Sequence, residues 1–128
     1  MKIGLVGLGR MGGAMSQRLR EQGFEVVGWD ANADRNKALG NSGLRIAANP
    51  RAIAAESEII ISIITEDHGV RRIFRGPEGF LRGDVAGKLF IEMSTLQPMT
   101  GRELAPFVES VGGRLIESPV LGTIPQVK

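Results

Sequence analysis

Cysteine is absent from the 128 residues, so disulfide staples and thiolate metal sites are excluded. With 42% hydrophobic residues the chain can bury a core without such help. Aromatic residues are scarce, at 5%, which argues against a stacking platform for single-stranded nucleic acid. Long apolar runs are missing too. The longest strongly apolar one, Ile59 to Ile64, is far too short to span a bilayer. Lys2 precedes an apolar run, but Arg10 interrupts it early and no small-residue cleavage site follows, so no signal peptide is read there. A cytoplasmic location is the expectation. Neither sign of charge dominates: 16 basic residues face 14 acidic ones, for a net +2. The densest basic cluster, Arg71, Arg72 and Arg75, follows Glu66 and Asp67 and reads as a solvated helix face. No nucleic-acid partner, no membrane partner and no metal are expected.

What is present is alternation. Lys2 to Val6 is a short apolar strand. Met11 to Gln22 reads as a helix with Met11, Ala14, Met15 and Leu19 on one face, stopped by Gly23. Glu25 to Trp29 is a second strand, Asn32 to Leu39 a polar helix closed by Gly40, and Leu44 to Ala47 a third strand. Asn49 caps a helix with Pro50 in its first position and Ile53 on its buried side. Ser57 to Ile64, rich in β-branched residues, is the strongest strand. Asp67 to Arg75 is a helix burying Val70, Ile73 and Phe74. Gly76 to Gly87, with four Gly and one Pro, reads as a loop. Lys88 to Met93 is a fifth strand, and Arg114 to Glu117 a sixth. Between them Pro98 to Val111 is a helix whose inner face is Leu104, Phe107, Val108 and Val111. Apolar strands alternating with helices predict an α/β fold: one doubly wound, mainly parallel sheet of the Rossmann type in a single domain.

The sequence Gly7-Leu8-Gly9-Arg10-Met11-Gly12 fits the dinucleotide fingerprint. Six residues are a weak pattern in a Gly-rich chain. Context strengthens it, because the run follows a strand, opens a helix and lies in a βαβ unit ending in an acid. Gly7 permits the tight turn, Gly9 lets the backbone approach a pyrophosphate, and Gly12 lets helix and strand pack closely. The helix N-terminus offers N–H groups to phosphate. Asp30, 18 positions beyond Gly12, ends the second strand. A carboxylate there can accept the ribose hydroxyls of the adenosine half. It can also cap the helix that begins near Asn32, and both roles are open.

With these residues placed, the chain resembles the N-terminal domain of the β-hydroxyacid dehydrogenases, of which the 3-hydroxyisobutyrate dehydrogenases are typical. The first helix continues the likeness with Met15-Ser16 and Leu19, while Ala14 and Arg18 replace a family Pro and Asn. Glu92-Met93-Ser94-Thr95 is similar to the family's Asp-Met-Ser-Thr substrate motif. The resemblance implies that Ser94 and Thr95 hydrogen-bond the substrate, with Ser94 at its carboxylate; either residue can instead cap the next helix. Glu117-Ser118-Pro119-Val120-Leu121-Gly122-Thr123 matches a third stretch, which shapes the substrate pocket in relatives through residues such as Gly122 and Thr123. Leu121 stands where the family has Ser and Thr123 where it has Gly, so substrate identity is left open.

The resemblance implies a nicotinamide dinucleotide held by Gly7, Leu8, Gly9, Arg10, Met11, Gly12, Asp30, Ala31, Asn32, Arg35, Ile64 and Thr65. NADP-using relatives often carry Asn-Arg-Thr where this chain has Asp30-Ala31-Asn32. An arginine that would clamp a 2′-phosphate is thus Ala31, and NAD is favoured over NADP. Arg35 works the other way, and as a helix residue it is expected to be free to point into solvent. Residues 1–117 form the dinucleotide-binding domain on this reading. Residues 118–128 lead toward the family's helical C-terminal domain, which supplies the proton-transferring Lys and a dimer surface and is expected to be absent here. Lys2, Lys37, Lys88 and Lys128 do not match that Lys, so no catalytic residue is assigned and the chain is expected to be inactive alone. His68, the only His, reads as a solvated residue more readily than as a general acid. Trp29 reads as packing.

Three functions fit. One is the cofactor half of a hydride-transferring enzyme acting on a small carboxylate, homo-oligomeric in its complete form. The second is a dinucleotide-binding module without catalysis. The third is the cofactor domain of a 6-phosphogluconate dehydrogenase-like enzyme, ranked lower because those relatives carry a Gly-Gly-Asn-Ser type motif where this chain has Met93-Ser94-Thr95. Imine reductases share the fold, but Ser94 argues for a carboxylate substrate.

Overall fold

The computed structural model of the chain describes residues 1–64, 67–93 and 98–117. Their order is β1 (Lys2–Val6), α1 (Arg10–Glu21), β2 (Glu25–Trp29), α2 (Ala33–Asn41), β3 (Arg45–Ile46), α3 (Pro50–Glu56), β4 (Ile59–Ser62), α4 (Asp67–Arg75), a 3-10 turn (Phe80–Arg82), β5 (Leu89–Glu92), α5 (Pro98–Ser110) and β6 (Arg114–Glu117). The six strands form one sheet in the order β3-β2-β1-β4-β5-β6. Every neighbouring pair is parallel, so the doubly wound architecture expected from the alternation is what the chain adopts.

Strand pleating sorts the side chains onto two faces. Ile3 and Leu5 of β1, Val26 of β2 and Ile61 of β4 enter one core with Leu8 and Leu44, against Met15 and Leu19 of α1 and Leu39 of α2. Val6, Val27 and Ile60 enter the other, with Ile53 of α3, Phe74 of α4, and Leu104 and Val108 of α5. At its centre Phe74, Phe80 and Phe90 pack with ring centroids 5.0, 5.4 and 5.2 Å apart. Offset and edge contacts of this kind add to the stabilisation from burial.

Several expectations need correction. The inner face of α5 is narrower than the apolar pattern predicts. Leu104 and Val108 are fully buried, whereas Phe107 is 39% and Val111 41% exposed. The ring of Phe107 instead carries the guanidinium of Arg75, 3.7 Å from its centroid, so that member of the basic cluster is not merely solvated. The stretch Gly76 to Gly87 is not simply a loop, since its 3-10 turn drives Phe80 into the core, and Val85 follows it there. On α1 the fully buried positions are Gly12 and Ser16 rather than the expected apolar face, which is half-buried. Gly40 lies inside α2; the chain turns at Gly43, whose φ is +104°. β3 and β4 are shorter than expected, with Leu44, Ala47 and Ser57 buried as flanks. Among the described residues no helix is long and apolar enough to cross a membrane.

Candidate functional site

The strand order reverses at β1, whose neighbours are β2 on one side and β4 on the other. In open parallel sheets a ligand crevice forms beyond the carboxyl ends of strands at such a reversal. A cavity of about 1170 Å³ lies there. Gly7, Gly9, Arg10, Met11 and Gly12 line it from the β1–α1 turn, Asp30, Ala31, Asn32 and Arg35 from the end of β2 and α2, and Ile64 from the end of β4.

Each glycine of the turn has a separate physical reason. Gly7 has φ +101°, and a Cβ there would meet the carbonyl oxygen of Ile63 at 1.9 Å. A Cβ on Gly12 would stand 1.8 Å from the carbonyl oxygen of Gly7, so helix and turn touch backbone to backbone. Gly9 differs. Its φ is −68°, open to any residue, and a Cβ would meet nothing closer than the Arg35 guanidinium at 3.6 Å. Packing within the chain therefore does not demand glycine at position 9. A ligand lying against the backbone would. No side chain caps α1, its first turn holds no acid, and Arg18 and Arg20 sit in its last turn. Its positive end is left for an anion.

The second strand ends in a polar knot. The Asp30 side chain is 8% exposed. Its Oδ2 accepts the Leu8 N–H at 2.6 Å and its Oδ1 accepts the Asn32 N–H at 2.7 Å. Arg35 Nη1 approaches Oδ2 at 3.4 Å. Asn32, not Asp30, caps α2, its Oδ1 accepting the N–H groups of Asp34 and Arg35 at 2.9 and 3.4 Å. Arg35, expected in solvent, is turned back over the phosphate turn, with its side chain half exposed. It partly neutralises Asp30, so the charge at this corner is more balanced than the residue types alone imply.

Leu8 contributes through its backbone, for its side chain is buried in the core and does not line the cavity. Thr65, Ser94, Thr95, Gly122 and Thr123 lie outside the described residues. Ile63 and Met93 also form part of the wall, and next to each of them in sequence the Ser62 hydroxyl donates to the buried Glu92 carboxylate. Sequence reasoning missed the lining by Trp29, Pro50, Ile63, Arg72 and Pro77. Trp29 carried a signal in its position at the carboxyl end of β2. Pro50 carried none, since its place at a helix start explains it fully. Among the described residues no group of three His, Asp or Glu side chains could hold a metal ion.

Comparison with known proteins agrees with this geometry. Residues 2–128 match the family model described as the NAD binding domain of 6-phosphogluconate dehydrogenase. The chain is 34% identical over 122 residues to the zebrafish (Danio rerio) protein named cytokine-like nuclear factor N-PAC, covering 95% of this chain and 26% of that protein. It is 30% identical over 122 residues to mouse (Mus musculus) mitochondrial 3-hydroxyisobutyrate dehydrogenase, covering 95% and 36% respectively. The solved structure of Mycobacterium tuberculosis 3-hydroxyisobutyrate dehydrogenase with L-serine superposes with a TM-score of 0.88 at 27% identity, over 97% of this chain and 42% of that one. The chain thus spans well under half the length of these relatives. A glycine turn at the sheet's switch point, an acid closing the second strand and the family match over nearly every residue go together: the chain belongs to the family described as the NAD binding domain of 6-phosphogluconate dehydrogenase.

Proposed function

We propose that the chain binds a nicotinamide dinucleotide in the cavity beyond β1, β2 and β4, as the cofactor domain of a hydride-transferring oxidoreductase acting on a small β-hydroxyacid. The observation that carries the binding is Gly9: a residue with room for a side chain, standing bare at the uncapped end of α1. The pyrophosphate lies against Gly9 and the first turn of α1, and Asp30 accepts ribose hydroxyl hydrogens with the lone pairs that Leu8 and Asn32 leave. Ile64 lines the cavity just past β4, and Thr65 is included as a further cofactor contact on the family resemblance. The nicotinamide supplies the hydride chemistry, and the protein positions it.

The substrate is a small carboxylate held by Ser94 and Thr95, with Gly122 and Thr123 shaping its pocket. The relative crystallised with L-serine, itself a hydroxylated carboxylate, supports this class. No lysine in these 128 residues stands in the family's proton-transfer context, so the chain by itself binds cofactor without turnover. A reading as a dinucleotide module without catalysis has one specific support, the likeness to a protein named as a nuclear factor. The test is NADH production from 3-hydroxyisobutyrate by the purified chain. Robust turnover refutes both the inactive-alone reading and the non-catalytic module.

NAD is the preferred cofactor. Asp30 accepts from hydroxyls and repels a 2′-phosphate, and Ala31 offers no cation. Arg35 opposes this preference but is already engaged by Asp30. Tenfold selectivity needs only about 1.4 kcal/mol, which a screened charge contact supplies. Calorimetric dissociation constants for both cofactors at fixed salt decide the point. NAD should bind at least about tenfold tighter, and Asp30→Asn with Ala31→Arg should reverse the order. Tighter NADP binding by the wild type would show that Arg35 outweighs Asp30.

A further inference from the structure

Helix α2 holds no fully buried residue; only Leu39 packs against the core from it. Burial of an apolar face therefore does not explain how α2 is set against β2. Polar contacts around Asp30 do. Asn36 makes two of them, although Asn36 itself does not line the cavity. Its Oδ1 accepts the Asp30 N–H at 2.9 Å, and its Nδ2 donates to the Asp30 carbonyl at 2.8 Å. One carboxamide thus satisfies both main-chain polar groups of Asp30 just where β2 ends and sheet pairing no longer can.

The consequence runs on through the carboxylate. With its backbone held from α2, Asp30 projects Oδ2 to the Leu8 N–H inside the phosphate turn. Asn36, Asp30 and Leu8 form a continuous hydrogen-bonded path from α2 to that turn. We propose that Asn36 is a positioning residue of the dinucleotide site: it fixes the aim of Asp30, and through Asp30 it holds the phosphate turn open at Gly9. This rests on Asp30 being the ribose acceptor for its effect on ligand choice, but not for its effect on the turn.

The physics supports a measurable share. Each of the two bonds contributes modestly to stability, and a buried donor left unpaired costs more. Losing them lets the Asp30 carboxylate swing, so a ligand that needs it aimed suffers more than one that does not.

The test uses the full chain as wild type, Asn36→Ala and Asn36→Asp. The aspartate variant keeps size and an acceptor but sets a carboxylate oxygen against the Asp30 carbonyl. Calorimetry compares NAD with an analogue lacking the 2′ and 3′ hydroxyls of its adenosine ribose. Wild type should favour NAD, and in both variants that preference should shrink by about tenfold. In parallel, native-state hydrogen exchange reads the Leu8 amide, which should exchange at least about tenfold faster in both variants, and the Asp30 amide, which should do so in Asn36→Ala, while interior amides of β1 keep their protection. An unchanged Leu8 amide in folded variants overturns the proposal. So does equal weakening of NAD and the analogue from a wild type that distinguished them. A wild type that does not distinguish them overturns the ribose role of Asp30 instead, and the exchange data then decide Asn36 alone.

Discussion

At the residue scale the turn glycines separate two kinds of constraint that look alike on paper. Gly12 is required by packing, because its missing Cβ would sit 1.8 Å from a carbonyl oxygen. Gly12→Ala should destabilise the fold by about 1–3 kcal/mol or more, whatever ligand is present. Gly9 is not required by packing, and on the proposed function it is the ligand that keeps it bare. Gly9→Val should leave the melting temperature nearly unchanged and weaken NAD at least about tenfold, as the branched side chain occupies the pyrophosphate position. Unaltered NAD affinity in calorimetry would remove the phosphate turn from the site. A different residue tests hydrogen-bond accounting. The Ser57 hydroxyl is buried and has no hydrogen-bond partner among the described residues. An unpaired buried hydroxyl costs about 1–3 kcal/mol, so Ser57→Ala should match or exceed the wild type in denaturant midpoint. A drop of more than about 1 kcal/mol would reveal a partner for it. The glycines and Asp30 were legible in the sequence because their spacing is imposed by one chemistry. Asn36 was not, since a polar residue in a polar helix carries no pattern, and Arg35 was misread because helix position alone does not say where a long side chain ends.

Elements tell a similar story of what periodicity conveys. It located the strands and most of the helices because they have an apolar side to bury, whereas α2 is a polar helix read from its place between β2 and the glycines that follow. It overestimated α5, where Phe107 keeps to the hydrophobic spacing yet serves as a platform for Arg75. It also passed over the 3-10 turn, because Phe80-Leu81 and Val85 are short apolar islands among glycines and a period needs repetition. Charge also joins three elements. Glu56 at the end of α3 accepts from Arg45 of β3 at 2.8 Å and from Lys2 of β1 at 3.4 Å. The hydrogen bond from Arg45 is the chief cause that holds the Glu56 carboxyl below its ordinary value, with Lys2 adding to it against the opposing effect of burial. A carboxylate whose folded pKa is depressed stabilises the fold fully above its unfolded pKa. That contribution fades as pH falls from the ordinary glutamate range through the lowered folded value. Urea midpoints of wild type and Glu56→Gln should therefore differ at neutral pH and converge on the acid side of that range. A constant gap down to the lowest pH would show that the carboxylate charge is not what matters.

For the whole molecule, the cavity lies where the two halves of the sheet diverge from β1, so a bound dinucleotide would touch both. Such a ligand binds the folded chain alone, and NAD at 100 times its dissociation constant should add about 2.7 kcal/mol to stability. A thermal shift absent at that excess would contradict binding at this site.

The shallow seating of α2 has a practical corollary. The helix that carries Arg35 and Asn36 buries none of its residues completely, while the cores on both sheet faces are built from other elements for the most part. Rewriting the exposed positions of α2 leaves the large cavity-creating losses of stability out of play. Cofactor choice and thermal robustness are thus separable in this chain: variation can explore new adenosine-end chemistries along one polar helix without first accumulating compensating changes in the interior.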